Sequence, residues 1–380
     1  MASTYSYKSP GVYRQEIFLA PKPQLPTGIP GFVGFGDGRI TTSAELNVAV
    51  AVNRKDEFVT RPDSQPGSYL ADAVAGFFDN GGNRCYAVLA DPGQDRETAL
   101  KMAIEALSFP TDLDLVCAPD AMTLKLPDGQ VDTLAAVRVQ AAMLAHCSKH
   151  GDRLAILDAL PQSDTETVLV QRESLMTGQT EPINGALYYP WLKDQGDRYL
   201  PPCGHVAGVI ARVDTKAGVF KPPANEEVLG VLDLETTIDN RIQDRLNPEG
   251  VNCLRAFPGR GIKVWGARTL GRDPSWRYIN VRRLFLTLAR WIDTNMAWAA
   301  FEPSDQRLWV RIQRELSVYL TQLWTAGALQ GQTAEEAFYV KCDSGNNPPE
   351  ARDIGQVISE IGMAPLVPAE YVVVRIIYSQ

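Results

Sequence analysis

From about residue 30 the chain alternates between short apolar runs and stretches of helical period. Gly31-Phe32-Val33-Gly34-Phe35 reads as a buried strand. Tyr69 to Phe78 reads as an apolar helix that stops at Asn80-Gly81-Gly82-Asn83, a helix-end signal. Arg84–Ala90, Leu113–Ala118, Leu154–Asp158 and Gly185–Tyr189 read as further strands. Helices are predicted between them at Thr98–Leu107, Val131–His146 and Thr165–Leu175. In the second of these, Leu134, Val137, Ala141 and Leu144 form the candidate core stripe. Strands alternating with helices imply βαβ crossovers and a largely parallel sheet covered by helices.

The texture changes after Tyr199-Leu200-Pro201-Pro202-Cys203-Gly204. His205 to Arg212 reads as a short apolar helix. Asn252–Phe257 and Ile262–Arg268 read as strands, and Pro258-Gly259-Arg260-Gly261 joins them as a hairpin or tight connection. Two long helices follow. The first carries Val281, Leu284, Leu288, Trp291 and Trp298; the second, with Ser304 as N-cap, carries Leu308, Ile312, Leu316, Leu320 and Leu323. The short loop between them predicts antiparallel packing.

Both ends carry strand-like runs. Val12 to Ile17 precedes the stiff segment Pro21-Lys22-Pro23-Gln24-Leu25-Pro26, and Tyr371 to Tyr378 is strongly β-prone. Glu360-Ile361-Gly362-Met363-Ala364-Pro365 reads as the linker before the second run. An unpaired β run leaves an open backbone edge. Each run can pair within its own chain or add a strand to a neighbour's sheet.

Composition narrows the class. At about 150 residues per domain, 380 residues suggest two to three domains. With 45% hydrophobic and 22% charged residues, the chain is neither disordered nor low-complexity. Acidic residues outnumber basic ones, 45 to 37, which argues against a bulk nucleic-acid binder. No apolar run reaches the roughly 18–20 residues of a membrane span, and Met1 to Pro10 lacks a signal-peptide core, so folding in the cytosol is expected. The six cysteines are scattered without a CxxC pair and read as buried free thiols.

An enzyme needs a chemical constellation, and none emerges. Gly34-Phe35-Gly36-Asp37-Gly38-Arg39 departs from the dinucleotide fingerprint at its sixth position, and there is no P-loop or GxSxG elbow. His146 and His150 have the spacing of a metal pair but sit at a helix end before Gly151, where histidines suit the helix dipole. A cytosolic α/β enzyme of unknown reaction is therefore only the alternative reading. No cofactor and no metal are expected.

An ordered set of motifs carries a resemblance. It runs through Tyr7-Lys8-Ser9-Pro10-Gly11-Val12-Tyr13, Gly76-Phe77-Phe78-Asp79-Asn80-Gly81-Gly82-Asn83-Arg84-Cys85-Tyr86 and Pro201-Pro202-Cys203-Gly204-His205-Val206-Ala207-Gly208. Lys221-Pro222-Pro223-Ala224-Asn225, Asn247-Pro248-Glu249-Gly250-Val251-Asn252, Trp265-Gly266-Ala267-Arg268-Thr269-Leu270 and Tyr278-Ile279-Asn280-Val281-Arg282-Arg283 continue it. In this order they resemble the contractile tail sheath protein family of phage tails and contractile injection systems.

The resemblance implies a mixed α/β and α+β fold: an outer α/β domain and a C-terminal core with a β-sheet and two long helices. It implies an N-terminal strand arm and linker (1–26), an outer domain (27–200), a tube-facing core (201–362) and a C-terminal strand arm (363–380). The arms would be exchanged between subunits through Val12, Tyr13, Arg14, Gln15, Glu16 and Ile17, and through Val372, Val373, Val374, Arg375, Ile376 and Ile377. The implied function is structural and non-enzymatic. Subunits would polymerise as stacked rings around an inner tube and contract to drive it through a target membrane. Implied partners are further copies, the tube protein, and baseplate and terminal cap proteins, with no nucleic acid and no direct membrane insertion. Assembly would occur in the bacterial cytoplasm, as part of a phage tail or phage-tail-like particle. Candidate tube contacts are the acidic pair Glu335 and Glu336 and the arginines Arg307, Arg311 and Arg314. The competing reading of the arginines is a solvated stripe, with Arg311 paired to Glu315 at i,i+4.

Overall fold

The computed structural model describes residues 25–36, 46–59 and 68–370. Its main element is a nine-stranded sheet. The first strands are β1 (Pro30–Gly34), β2 (Ala49–Val52), β3 (Cys85–Leu89), β4 (Leu115–Cys117), β5 (Leu154–Asp158) and β6 (Gly185–Tyr189). The small strands β7 (Leu192–Lys193), β8 (Tyr199–Leu200), β9 (Glu226–Glu227) and β10 (Asp233–Leu234) precede the long hairpin β11 (Val251–Phe257) and β12 (Gly261–Trp265). The sheet order is β2-β3-β1-β4-β5-β6-β11-β12-β9. The six strands from β3 to β11 run parallel, with β2, β12 and β9 added antiparallel at the edges.

Every residue of β1, β3, β4, β5 and β6 is buried, as continuous apolar runs covered on both faces require. Of the flanking helices, α1 (Lys55–Val59) follows β2 and α2 (Leu70–Asp79) precedes β3. Next come α3 (Arg96–Ala106), α4 (Thr133–His150), α5 (Thr165–Met176), α6 (Cys203–Ala217) and α7 (Asn240–Leu246). One face packs on α3, α4 and α5. The other packs on α2, α6 and the long helix α8 (Ile279–Asn295). Aspartates cap five of the helices: Asp95, Asp132, Asp164, Asp239 and Asp305 each accept a first-turn N–H.

The Gly204–Gly208 spacing on α6 has a packing cause. A Cβ at Gly204 would overlap Ala73 O, and one at Gly208 would overlap Phe77 O, both on α2. Backbone lies directly on backbone there, and α6 is buried almost throughout. It extends over fifteen residues, longer than the His205–Arg212 segment expected: the buried Asp158 carboxylate accepts Cys203 N–H at its start, and Gly218 N–H donates to Asp214 O at its end.

The remaining elements are α9 (Gln306–Thr325), α10 (Ala334–Ala337), β13 (Phe338–Lys341), α11 (Pro349–Asp353) and β14 (Glu360–Met363). The stripes on α8 and α9 meet in one apolar cluster with Val340 and Cys342, and Trp291 stacks on Tyr319 at 4.2 Å. β13 and β14 form a separate two-stranded antiparallel ribbon.

Several expectations need correction. The buried face of α4 is Ala135, Ala136, Val139, Gln140, Met143, Leu144, His146 and Cys147; Leu144 holds its predicted place, Val137 packs at the core's margin, and Leu134 is 71% exposed. Alanines on both sides of this helix blur its period. The N-cap of α9 is Asp305, whose carboxylate takes the N–H groups of both Arg307 and Leu308; Ser304 Oγ lies 3.3 Å from Trp309 Nε1 instead. Glu360–Met363 is a strand and not a linker. The sheet also runs through residue 200: β9, β11 and β12 continue the sheet begun by β1–β6.

Candidate assembly site

The described chain begins and ends in two anchored segments. Pro26 O accepts from Arg290 Nη2 at 2.9 Å. Gly28 N–H and Ile29 N–H donate to the Asp114 carboxylate at 3.0 and 2.7 Å. Asp114 in turn takes Arg283 Nη2 at 2.8 Å, and Arg283 forks onto Asp214 at 2.8 and 2.6 Å. All of these carboxylate and guanidinium groups are buried. Burial alone would push the Asp114 carboxyl up, but Arg290, Arg283 and the Gly28 N–H outweigh it and hold it below the usual carboxylate range. Burial pushes Asp214 up, against Arg283 and the Thr27 hydroxyl.

At the other end, Ala364 N–H donates to Ala337 O, Leu366 N–H to Ala328 O, and Asn280 Nδ2 to Leu366 O at 3.0 Å. Glu370 is gripped by Arg268, through Nε at 2.9 Å and through Nη2. Arg268 is itself fixed by Asn252 Oδ1 and Asn247 O. Helix α8 therefore touches both roots, through Asn280 near its start and Arg290 near its end.

The ribbon β13–β14 lies beside the second root. Hydrogen bonding alternates along an antiparallel pair. The Ala364 N–H to Ala337 O bond sets that alternation, so Phe338, Val340, Ile361 and Met363 turn their backbone groups outward. On β13, Phe338 N–H is taken by Ala334 O and Val340 O by Gln313 Nε2. On β14, the N–H and C=O groups of Ile361 and Met363 have no partner among the described residues. Gly362 leaves room for the Tyr339 ring, which a Cβ there would strike, and Tyr339 OH donates to Glu360 at 2.6 Å.

Both arm runs, Val12, Tyr13, Arg14, Gln15, Glu16, Ile17 and Val372, Val373, Val374, Arg375, Ile376, Ile377, lie outside the described residues. Glu335 and Glu336 form the first turn of α10, both exposed. Glu336 accepts Gln332 N–H, while Glu335 has no ion pair among the described residues. Arg307, Arg311 and Arg314 are exposed on α9. Arg311 stacks 3.5 Å over Trp298 and lies 3.6 Å from Glu315. Sequence reasoning missed Arg268, Asn280 and Arg290 as anchors, although Arg268 and Asn280 fall inside the quoted motifs. Among the described residues, no group of three His, Cys, Asp or Glu side chains could hold a metal, and no helix is long and apolar enough to cross a membrane.

Residues 110–270 match the phage tail sheath protein central domain, and residues 272–378 the phage tail sheath C-terminal domain. The tail sheath protein of Vibrio phage KVP40 is 28% identical over 188 residues, 48% of this chain and 27% of that protein. The tail sheath protein of Salmonella phage ViI is 27% identical over 216 residues, 53% of this chain and 32% of that protein. The chain thus spans about a third or less of these relatives' length. The contracted helical sheath of the anti-feeding prophage, solved by cryo-EM, superposes with a TM-score of 0.77 at 29% identity, over 98% of this chain and 99% of that one. The contracted PVC sheath complex of an extracellular contractile injection system gives 0.76 at 28%, over 98% of each chain. The chain belongs to the contractile tail sheath protein family.

Proposed function

We propose that this chain is the structural subunit of a contractile sheath, polymerising as stacked rings around an inner tube and contracting to drive that tube through a target membrane. The observation that carries the reading is the open outer edge of β14. A two-stranded ribbon is marginal alone, and an uncovered edge is a template for another strand. In this reading the runs Val12–Ile17 and Val372–Ile377 of neighbouring copies extend the ribbon. Main-chain bonds then hold the lattice while the folded bodies rotate. The α/β layer faces outward, and the unit of α8, α9 and the ribbon faces the tube. The tube protein, baseplate and terminal cap are the other partners, and assembly takes place in the bacterial cytoplasm. The role is mechanical and needs no covalent chemistry.

Electron microscopy of the purified protein with its tube tests this: striated helical particles are expected, and a discrete soluble oligomer without polymer contradicts it. Ile361→Pro sharpens the test. It removes one outward donor of β14 and no bond of the β13–β14 ladder. Losing one such bond costs about 1 kcal/mol. The monomer melt is expected to fall only slightly, through the lost packing of Ile361 on the α8–α9 cluster, while the concentration needed for polymer rises roughly fivefold. Polymer formation at the wild-type concentration would rule out β14 as the acceptor.

The exposed pair Glu335 and Glu336 is the proposed tube contact, and the Arg307, Arg311 and Arg314 face of α9 is proposed for the same role. Contacts of this kind are weak and salt-sensitive. Glu335→Lys with Glu336→Lys is expected to loosen the sheath's register on the tube in image reconstructions. Unchanged register would remove the pair from the contact.

A further inference from the structure

The end of the β11–β12 hairpin carries an unusual charge pattern. Arg255 and Lys263 stand directly opposite one another across the two strands. Like charges in that position are destabilising. Arg260, in the turn, brings a third cation. Arg255 and Arg260 both lie over the Phe257 ring, at 5.4 and 5.0 Å, and Trp265 packs against the same ring at 4.6 Å. None of the three cations has an ion pair with a carboxylate among the described residues. Arg255 Nη2 donates to Asn240 Oδ1 and its buried Nε has no hydrogen-bond partner among the described residues, while Lys263 Nζ donates to Asn225 O. One carboxylate shares the row: Glu227 on β9, opposite Lys263 and beside Gly261. The hairpin end therefore has an excess of positive charge on a rigid aromatic base, in a chain whose net charge is −8.

Arginine and aromatic side chains held in one place are the composition of interface anchors. We infer that Arg255, Phe257, Arg260 and Trp265 form a docking surface for the acidic surface of a second copy of this chain. Charge complementarity selects that occupant: 45 acidic residues against 37 basic ones make another copy's surface predominantly anionic. The cross-strand repulsion, a defect in the isolated subunit, is relieved when carboxylates of the second copy arrive. This inference rests on the sheath reading but concerns a contact separate from the arms.

The test compares wild type, Arg260→Glu, and Arg255→Glu/Arg260→Glu for polymer formation by sedimentation between 50 and 500 mM NaCl, with a thermal melt of each monomer. The exposed turn residue Arg260 makes the single variant safe for folding even if the double variant melts early. For Arg260→Glu, we expect an unchanged melt, a critical concentration for polymer raised about tenfold at low salt, and a flatter salt dependence. Wild-type critical concentration and salt dependence in Arg260→Glu would overturn the docking surface. Failure of wild type itself to polymerise would instead overturn the sheath reading beneath it.

Discussion

A chain shortened to end at Glu370 folds and does not polymerise. Folding is expected because the last described segment is fastened to the body before that point. Ala364, Leu366 and Glu370 are each held, by Ala337, Ala328 and Arg268, and the four apolar clusters of the body draw on residues 25–363. What the cut removes is Tyr371 to Gln380, with its run Val372-Val373-Val374-Arg375-Ile376-Ile377. A six-residue strand added to an edge contributes about six main-chain bonds, each of about 1 kcal/mol net. Losing them weakens each lattice link by about four orders of magnitude. That is enough to abolish polymer at any practical concentration. Circular dichroism melting reports the fold, and negative-stain images with sedimentation report the polymer. Sheaths of normal stability from the shortened chain would sink the donation of the C-terminal strand.

The link between sequence and structure was uneven for physical reasons. Buried parallel strands such as β5 and β6 are short continuous apolar runs, which makes them legible. The α9 stripe was equally plain, since Leu308, Ile312, Leu316 and Leu320 are large residues at i,i+4 spacing. On α4 the period has little contrast, because alanine is small enough to sit on either side of a helix: Leu144 is buried as its spacing predicts, and Leu134 is exposed. Strand β14 was invisible because four residues with a central glycine look like a linker. Its strand character comes from β13, whose Tyr339 lies across Gly362. The pairing of β11 with β6 across residue 200 is a non-local register that local sequence does not encode. The arm roots were the least legible. Arg268, Arg283 and Arg290 look like ordinary surface arginines until the fold buries them against Glu370, Asp214 and Pro26.

Replacing one of these arginines tests how the first root is held. Arg283→Met keeps the length of the side chain and removes the only ion partner of buried Asp214 among the described residues. Asp114 keeps two backbone donors, from Gly28 and Ile29, and a distant Arg290 at 3.9 Å. Breaking a buried pair from one side costs about 3–5 kcal/mol, because a charge is left uncompensated in the interior. For 380 residues this lowers the melting temperature by about 5 °C. The loss has a definite pH dependence. Without Arg283, the folded-state pKa of Asp214 rises further above its unfolded value. A carboxyl raised in this way is harmless below its unfolded pKa near 4, and its penalty grows as pH rises through the folded pKa. The deficit against wild type is therefore small at pH 4 and full at pH 8. Adding Asp214→Leu removes the stranded charge and is expected to recover most of the loss. Urea melts of the three proteins at both pH values decide it: a deficit equal at pH 4 and pH 8, and not recovered by Asp214→Leu, would mean that packing of the Arg283 side chain holds this root together, with its charge contributing little.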